Sequence, residues 1–96
     1  MTTALSLTNG PGTVLTAAGE IDMSNADTFA AALTSAVTLA SGSPLTVDLT
    51  AVQYLDSAGL AALFAHADHI EVLTGPILAP LLEISGLNEL ATVRWA

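Results

Sequence analysis

Apolar and polar positions along this chain follow two different periods, and the switches between them mark its elements. "ALSLT" and "TVLTAAGEI" alternate with period two on either side of the turn sequence "NGPG", residues 9–12, which predicts a β-hairpin or a pair of adjacent strands. Over residues 24–40 the period becomes helical: Phe29, Leu33, Ala36, Val37 and Ala40 fall on one stripe. Ser24 is placed to cap this helix, Asp27 sits near the positive end of its dipole, and "SGS" at 41–43 ends it. "PLTVDL" then reads as a short strand over 45–49, reached by a crossover and therefore parallel to its predecessor. Leu60, Leu63, Phe64 and Ala67 predict a second helix of about three turns that begins at or next to Ser57. "IEVL", 70–73, is a further strand, "GP" a turn, and "ILAPLLEIS" a third helix stopped by Gly86. Pro80 either occupies the first turn of that helix, which then starts later than the apolar pattern suggests, or kinks it. "LNELATVRWA" holds one more helical turn and a last edge strand. The order is β-β-α-β-α-β-α-β, an α/β fold with helices packed on a mixed sheet, in a single domain over 1–96 without internal repeat or linker.

Composition sharpens this picture. With 96 residues and 52% hydrophobic content, the chain has apolar material for a real core. No apolar stretch approaches the roughly 20 residues of a membrane helix, and "MTTALSLTNGPG" lacks the basic start and apolar segment of a signal peptide, so the cytoplasm is expected. The absence of cysteine excludes a disulfide framework and thiolate metal sites. Nine acids oppose one cation, Arg94, for a net charge of −8, which leaves almost nothing to neutralise phosphates. Nucleic acid and anionic membrane surfaces are poor partners. The charge suits a basic protein partner, and equally it keeps a greasy small domain soluble.

The candidate chemistry lies in "YLDSAGL", where an acid, a hydroxyl and a glycine stand between a strand and a helix. A serine at such a junction exposes its hydroxyl at a helix N-terminus, where free N–H groups point outward and a phosphate is tolerated. The alternative is structural: Ser57 as an N-cap worth about 1 kcal/mol, with Asp22 and Asp56 as turn residues bonding local backbone. A hydrolase does not fit, because the nucleophile elbow G-x-S-x-G has Leu55 where its first glycine belongs. His66 and His69 lie some 13 to 18 Å along the helix axis from Ser57, too far to act as its base, and as an i, i+3 pair they have no further metal ligand close in sequence. Asp48 ends its strand or satisfies the next turn, and Trp95 reads as a packing residue.

Taken together, "GEID" (19–22), "VDLTAVQYLDSAGLAAL" (47–63) and "LLEISGL" (81–87) resemble the STAS domain of anti-sigma factor antagonists, in the same order and over nearly the whole chain. The resemblance implies a STAS-like mixed sheet and a non-enzymatic partner-switching protein without cofactor. Such antagonists bind an anti-sigma factor that is also a serine kinase, and phosphorylation of the motif serine ends the binding. That serine is Ser57 here, with Asp56 beside it and Asp22 as the family's second acidic residue. The docking surface implied is Asp22, Met23, Ser24, Asp56, Ser57, Ala58 and Gly59, the small Ala58 and Gly59 leaving room for another backbone to approach. Two departures are visible. Ala58 stands where family members often carry a second serine, and the chain between "DSAGL" and "LLEISGL" is shorter than the family pattern by about two helical turns. Two other roles remain open: a constitutive STAS interaction module, such as a subunit of a transport or lipid-transport assembly with Ser57 unmodified, and a nucleotide-sensing module, for which the chain offers no glycine-rich phosphate loop.

Overall fold

A computed structural model describes residues 5–10 and 13–95. Five strands form one sheet: β1 (Leu5–Gly10), β2 (Val14–Ile21), β3 (Leu45–Leu55), β4 (Ile70–Thr74) and β5 (Thr92–Trp95), in that spatial order. The helices are α1 (Ala26–Ala40), α2 (Ser57–Ala65) and α3 (Ala79–Ser85), with 3-10 turns at Ala67–His69 and Leu87–Glu89. This is the predicted order, element for element. β1 and β2 pair antiparallel, as the hairpin reading requires, although the turn itself at 11–12 lies outside the described residues.

β2, β3, β4 and β5 are parallel, and each crossover moves one strand further in the same direction. With the right hand that such crossovers take, all three helices cover one face of the sheet. Burial follows that geometry: Leu15, Ala17, Ile21, Leu45, Val47, Leu49, Ile70 and Val72 meet Phe29 and Leu33 of α1, Leu63 of α2 and Leu82 of α3 in one core. Thr16, Asp48, Leu73 and Arg94 run in register across the opposite face, none of them buried.

β3 is the element that sequence patterning cut short. The strand does not end at Asp48 but runs on to Leu55. Asp48 accepts bonds from the amide (2.9 Å) and hydroxyl (2.7 Å) of Thr50, where the pairing with β2 shifts register between Thr16 and Ala18. A second shift follows between Gly19 and Glu20, at a glycine with φ of 104°. Both shifts place an extra residue in β3, which bends the strand and breaks the alternation that patterning relies on. β3 pairs with β4 only over Leu45–Asp48, yet stays with β2 as far as Leu55. The end of β3 therefore overhangs the β4–β5 half of the sheet.

Three smaller expectations are corrected. α1 starts at Ala26 with Asn25 at its N-cap, so Ser24 does not cap it. Pro80 falls in the first turn of α3, and the helix starts at Ala79 rather than at Ile77. Trp95 is no packing residue: it stands 64% exposed at the end of an edge strand.

Candidate functional site

The overhang of β3 delivers the motif. After Leu55 the chain passes through Asp56 in an extended conformation, and Asp56 is the N-cap of α2: its Oδ1 accepts from the amides of Ala58 at 2.9 Å and Gly59 at 3.1 Å. Ser57, expected as a cap, is instead the first helical residue. Asp and Ser are nearly equal as caps, so their adjacency in the sequence left the choice undetermined until the backbone fixed it. The Ser57 side chain is exposed, and among the described residues no side-chain hydrogen bond engages its hydroxyl. Two of the N–H groups expected to receive a phosphate are thus already taken by the neighbouring carboxylate.

Gly59 is also placed differently from expectation. It is buried, and a Cβ on it would stand 2.5 Å from Leu55 Cδ1 and 2.6 Å from Ile21 Cγ2. Its missing side chain lets α2 settle on the ends of β2 and β3; it does not open the surface to a partner. Ala58 is half-buried between the exposed Ser57 and this contact.

The Asp22 loop lies alongside. Ile21 pairs with Leu55, and the Ile21 carbonyl accepts the Asp56 amide at 3.1 Å, so Asp22 and Ser57 each sit one residue from a shared hydrogen bond. Asp22 Oδ1 accepts from the Ser24 hydroxyl (2.5 Å) and amide (2.9 Å), and these bonds hold the carboxyl below the usual carboxylate range, with partial burial working against them. Ser24 thus orients Asp22 instead of starting the helix. Met23 projects between them, 83% exposed. Asn25, which sequence reasoning missed, turns its side chain back onto β2: Nδ2 donates to the Glu20 carbonyl at 2.9 Å and Oδ1 accepts the Asp22 amide at 3.0 Å. The available signal was an Asn directly before a helical pattern, but it points to capping, which this side chain does not perform.

Of the seven expected site residues, the structure gathers all around the ends of β2 and β3, six at least partly exposed and Gly59 buried beneath them. His66 lies at the far end of α2 and contacts Thr34 of α1 (3.2 Å between Nε2 and Oγ1). A shallow groove lined by Thr13, Leu39 and Leu45 opens at the opposite end of the sheet, away from Ser57. Among the described residues no helix is long and apolar enough to cross a membrane, and no group of three or more His, Cys, Asp or Glu is placed to hold a metal ion.

A family model described as "Mlab, STAS domain" matches residues 7–92. The chain belongs to this STAS domain family. Its fold is shared with an anti-sigma factor antagonist from Mycobacterium paratuberculosis, at 26% identity and a TM-score of 0.80, over 97% of this chain and 86% of that one. The anti-sigma factor antagonist SpoIIAA in its unphosphorylated form matches at 16% identity and a TM-score of 0.71, over 97% of this chain and 88% of that one, which is a likeness of fold. No curated protein matches. A STAS domain explains why the polar motif stands where the sheet overhangs: the fold presents the β3–α2 junction and the β2–α1 loop together, at one end.

Proposed function

We propose that this STAS protein is an anti-sigma factor antagonist of the cytoplasm. It docks on an anti-sigma factor with serine kinase activity through the Asp22 loop and the start of α2, and phosphorylation of Ser57 releases it. The observation that carries this reading is the exposed Ser57 hydroxyl, which no side-chain hydrogen bond engages among the described residues, at a junction bonded to the strand that leads into Asp22, in a fold shared with a mycobacterial anti-sigma factor antagonist.

Electrostatics supplies the switch. A phosphate adds about −1.5 to −2 charges next to Asp56, with the Asp22 loop joined to that junction through the Ile21–Asp56 hydrogen bond, in a chain already at −8. Because Asp56 occupies the amides of Ala58 and Gly59, the phosphate faces outward instead of folding back onto the helix. Like charge on a docking face costs several kcal/mol, and each 1.4 kcal/mol is about a tenfold loss of affinity. No large conformational change is required.

The test is intact-mass spectrometry after incubation with ATP and each candidate anti-sigma kinase of the same genome, followed by peptide mapping. One phosphate on Ser57 is the expected result, with Ser57→Ala binding like wild type and Ser57→Asp binding poorly. No phosphate with any kinase, where a known substrate is modified, overturns the reading. A second reading, a constitutive STAS interaction module, is favoured by the family description, which names MlaB and not an antagonist. Equal binding of a partner to wild type and Ser57→Asp selects it.

A further inference from the structure

We infer that Asn25 is a positioning residue for the docking face, holding the Asp22 loop and the Ser57 helix start in one rigid arrangement. Nothing in the motifs assigns it a role, and the inference rests on the docking surface proposed above.

Asn25 occupies an N-cap position but makes no side-chain cap bond to its own helix, although an Asn cap is worth about 1 kcal/mol. Its amide is directed elsewhere, as donor to the Glu20 carbonyl and acceptor of the Asp22 amide. A carbonyl at one residue and an N–H two residues on form the pair that a single residue of an adjacent parallel strand would engage. One side chain therefore does the work of a strand residue on the outer side of β2, just past Gly19, the last β2 residue that pairs with β1 among the described residues. On the inner side of the same segment, the carbonyl of Ile21 accepts the Asp56 amide. The segment 20–22 is gripped from both sides, by Asn25 on one and the α2 cap residue on the other.

The backbone of Asn25 closes the loop. Its amide and that of Ala26 both donate to the Asp22 carbonyl, at 3.1 and 2.8 Å. Met23 and Ser24 are thereby held in a tight turn that the Asn25 side-chain carboxamide ties to the end of β2. Without it, Glu20 and Asp22 lose a bond each and the turn is free to shift relative to Ser57.

The test compares Asn25→Ala and Asn25→Asp with Ile70→Val, a mild core change at the start of β4, far from the site. In amide hydrogen exchange of the whole chain, Asn25→Ala is expected to accelerate exchange at Asp56 by about tenfold or more, the ratio of a 1.4 kcal/mol weakening. Asn25→Asp, which keeps the acceptor for Asp22 but sets a carboxylate against the Glu20 carbonyl, is expected to do the same, and it serves should Asn25→Ala not fold. Ile70→Val is expected to leave Asp56 unchanged relative to other amides. With a kinase that modifies wild type, Asn25→Ala raises KM about tenfold and leaves kcat unchanged, the mark of lost docking. Asp56 exchange equal to wild type in both Asn25 variants overturns the inference. So does an unchanged KM. A wild type that no kinase modifies would sink the functional reading, and the exchange result would still decide the role of Asn25.

Discussion

Replacing Gly59 with alanine adds one methyl group, and the structure makes its effect calculable in sign and size. In a helix, alanine is intrinsically better than glycine by about 0.5–1 kcal/mol, so an open position would gain stability. Here the added Cβ stands 2.5 Å from Leu55 Cδ1 and 2.6 Å from Ile21 Cγ2, about 1 Å inside the 3.5–4.0 Å of an ordinary carbon contact. Both neighbours are confined: Ile21 is wholly buried and Leu55 nearly so. Overpacking of this kind costs about 1–3 kcal/mol, and with neither side chain free to swing away the upper part of that range applies. The net expectation is a loss of about 1.5 kcal/mol, or roughly 6–12 °C in Tm for a domain of this size. Far-UV circular dichroism is the suitable probe, because the one tryptophan is already largely exposed and reports little on unfolding. The double variant Gly59→Ala/Leu55→Ala sharpens the test. Leu55→Ala alone leaves a cavity costing about 2–5 kcal/mol, the methyl at 59 occupies part of it, and the two effects then sum to less than their separate values by about 1 kcal/mol or more. A Gly59→Ala protein as stable as wild type, or strict additivity in the double variant, refutes the packing argument.

Exchanging the cap separates Asp56 from Ser57: Asp56→Ala is expected to lose about 1 kcal/mol in urea unfolding while Ser57→Ala stays within about 0.5 kcal/mol of wild type, and the reverse order would return the cap to the serine. Asp22, with its carboxyl lowered in the fold, contributes stability that is complete above its unfolded value near 3.9 and lost as pH falls through the lower folded value. Carboxyl NMR titration is expected to show the Asp22 value rising in Ser24→Ala, and an unmoved titration would remove Ser24 as the cause. Arg94→Ala is expected to cost under about 0.5 kcal/mol, since the 3.5 Å pair with Glu71 is solvent-exposed; a loss above 1 kcal/mol in thermal unfolding contradicts that.

Local periodicity carried the fold because most strands and helices here keep one face buried throughout. The stripe of Phe29, Leu33, Ala36 and Ala40 is buried as read, with Val37 at its margin. β3 escaped that logic past Asp48, where two bulges put Thr50 and Ala51, then Gln53 and Tyr54, side by side on the exposed surface. An alternation count cannot see a bulge, which is defined against a partner strand absent from the local window; the first one here is accompanied by the bonds that Thr50 donates to Asp48. The site was legible as a motif but not as a set of roles. Asp56 and Ser57 are interchangeable caps by composition, and only the extended backbone at Asp56 assigns the bond. Gly59 reads equally as room for a partner or room for the core, and three-dimensional proximity to Ile21, distant in sequence, decides for the core. Asn25 was hidden for the same reason, its partners being backbone groups that carry no sequence signature.

The overhang of β3 has a bearing on how such a domain can diverge. The proposed docking face stands on β2, β3 and the first turn of α2, while the far part of α2 and the approach to β4 lead to a strand that joins β3 only over Leu45–Asp48. Segments can be gained or lost there without displacing Ser57, so the face and the opposite half of the sheet are free to drift at separate rates. Lineages could thus remodel one side for new assemblies while inheriting the other intact.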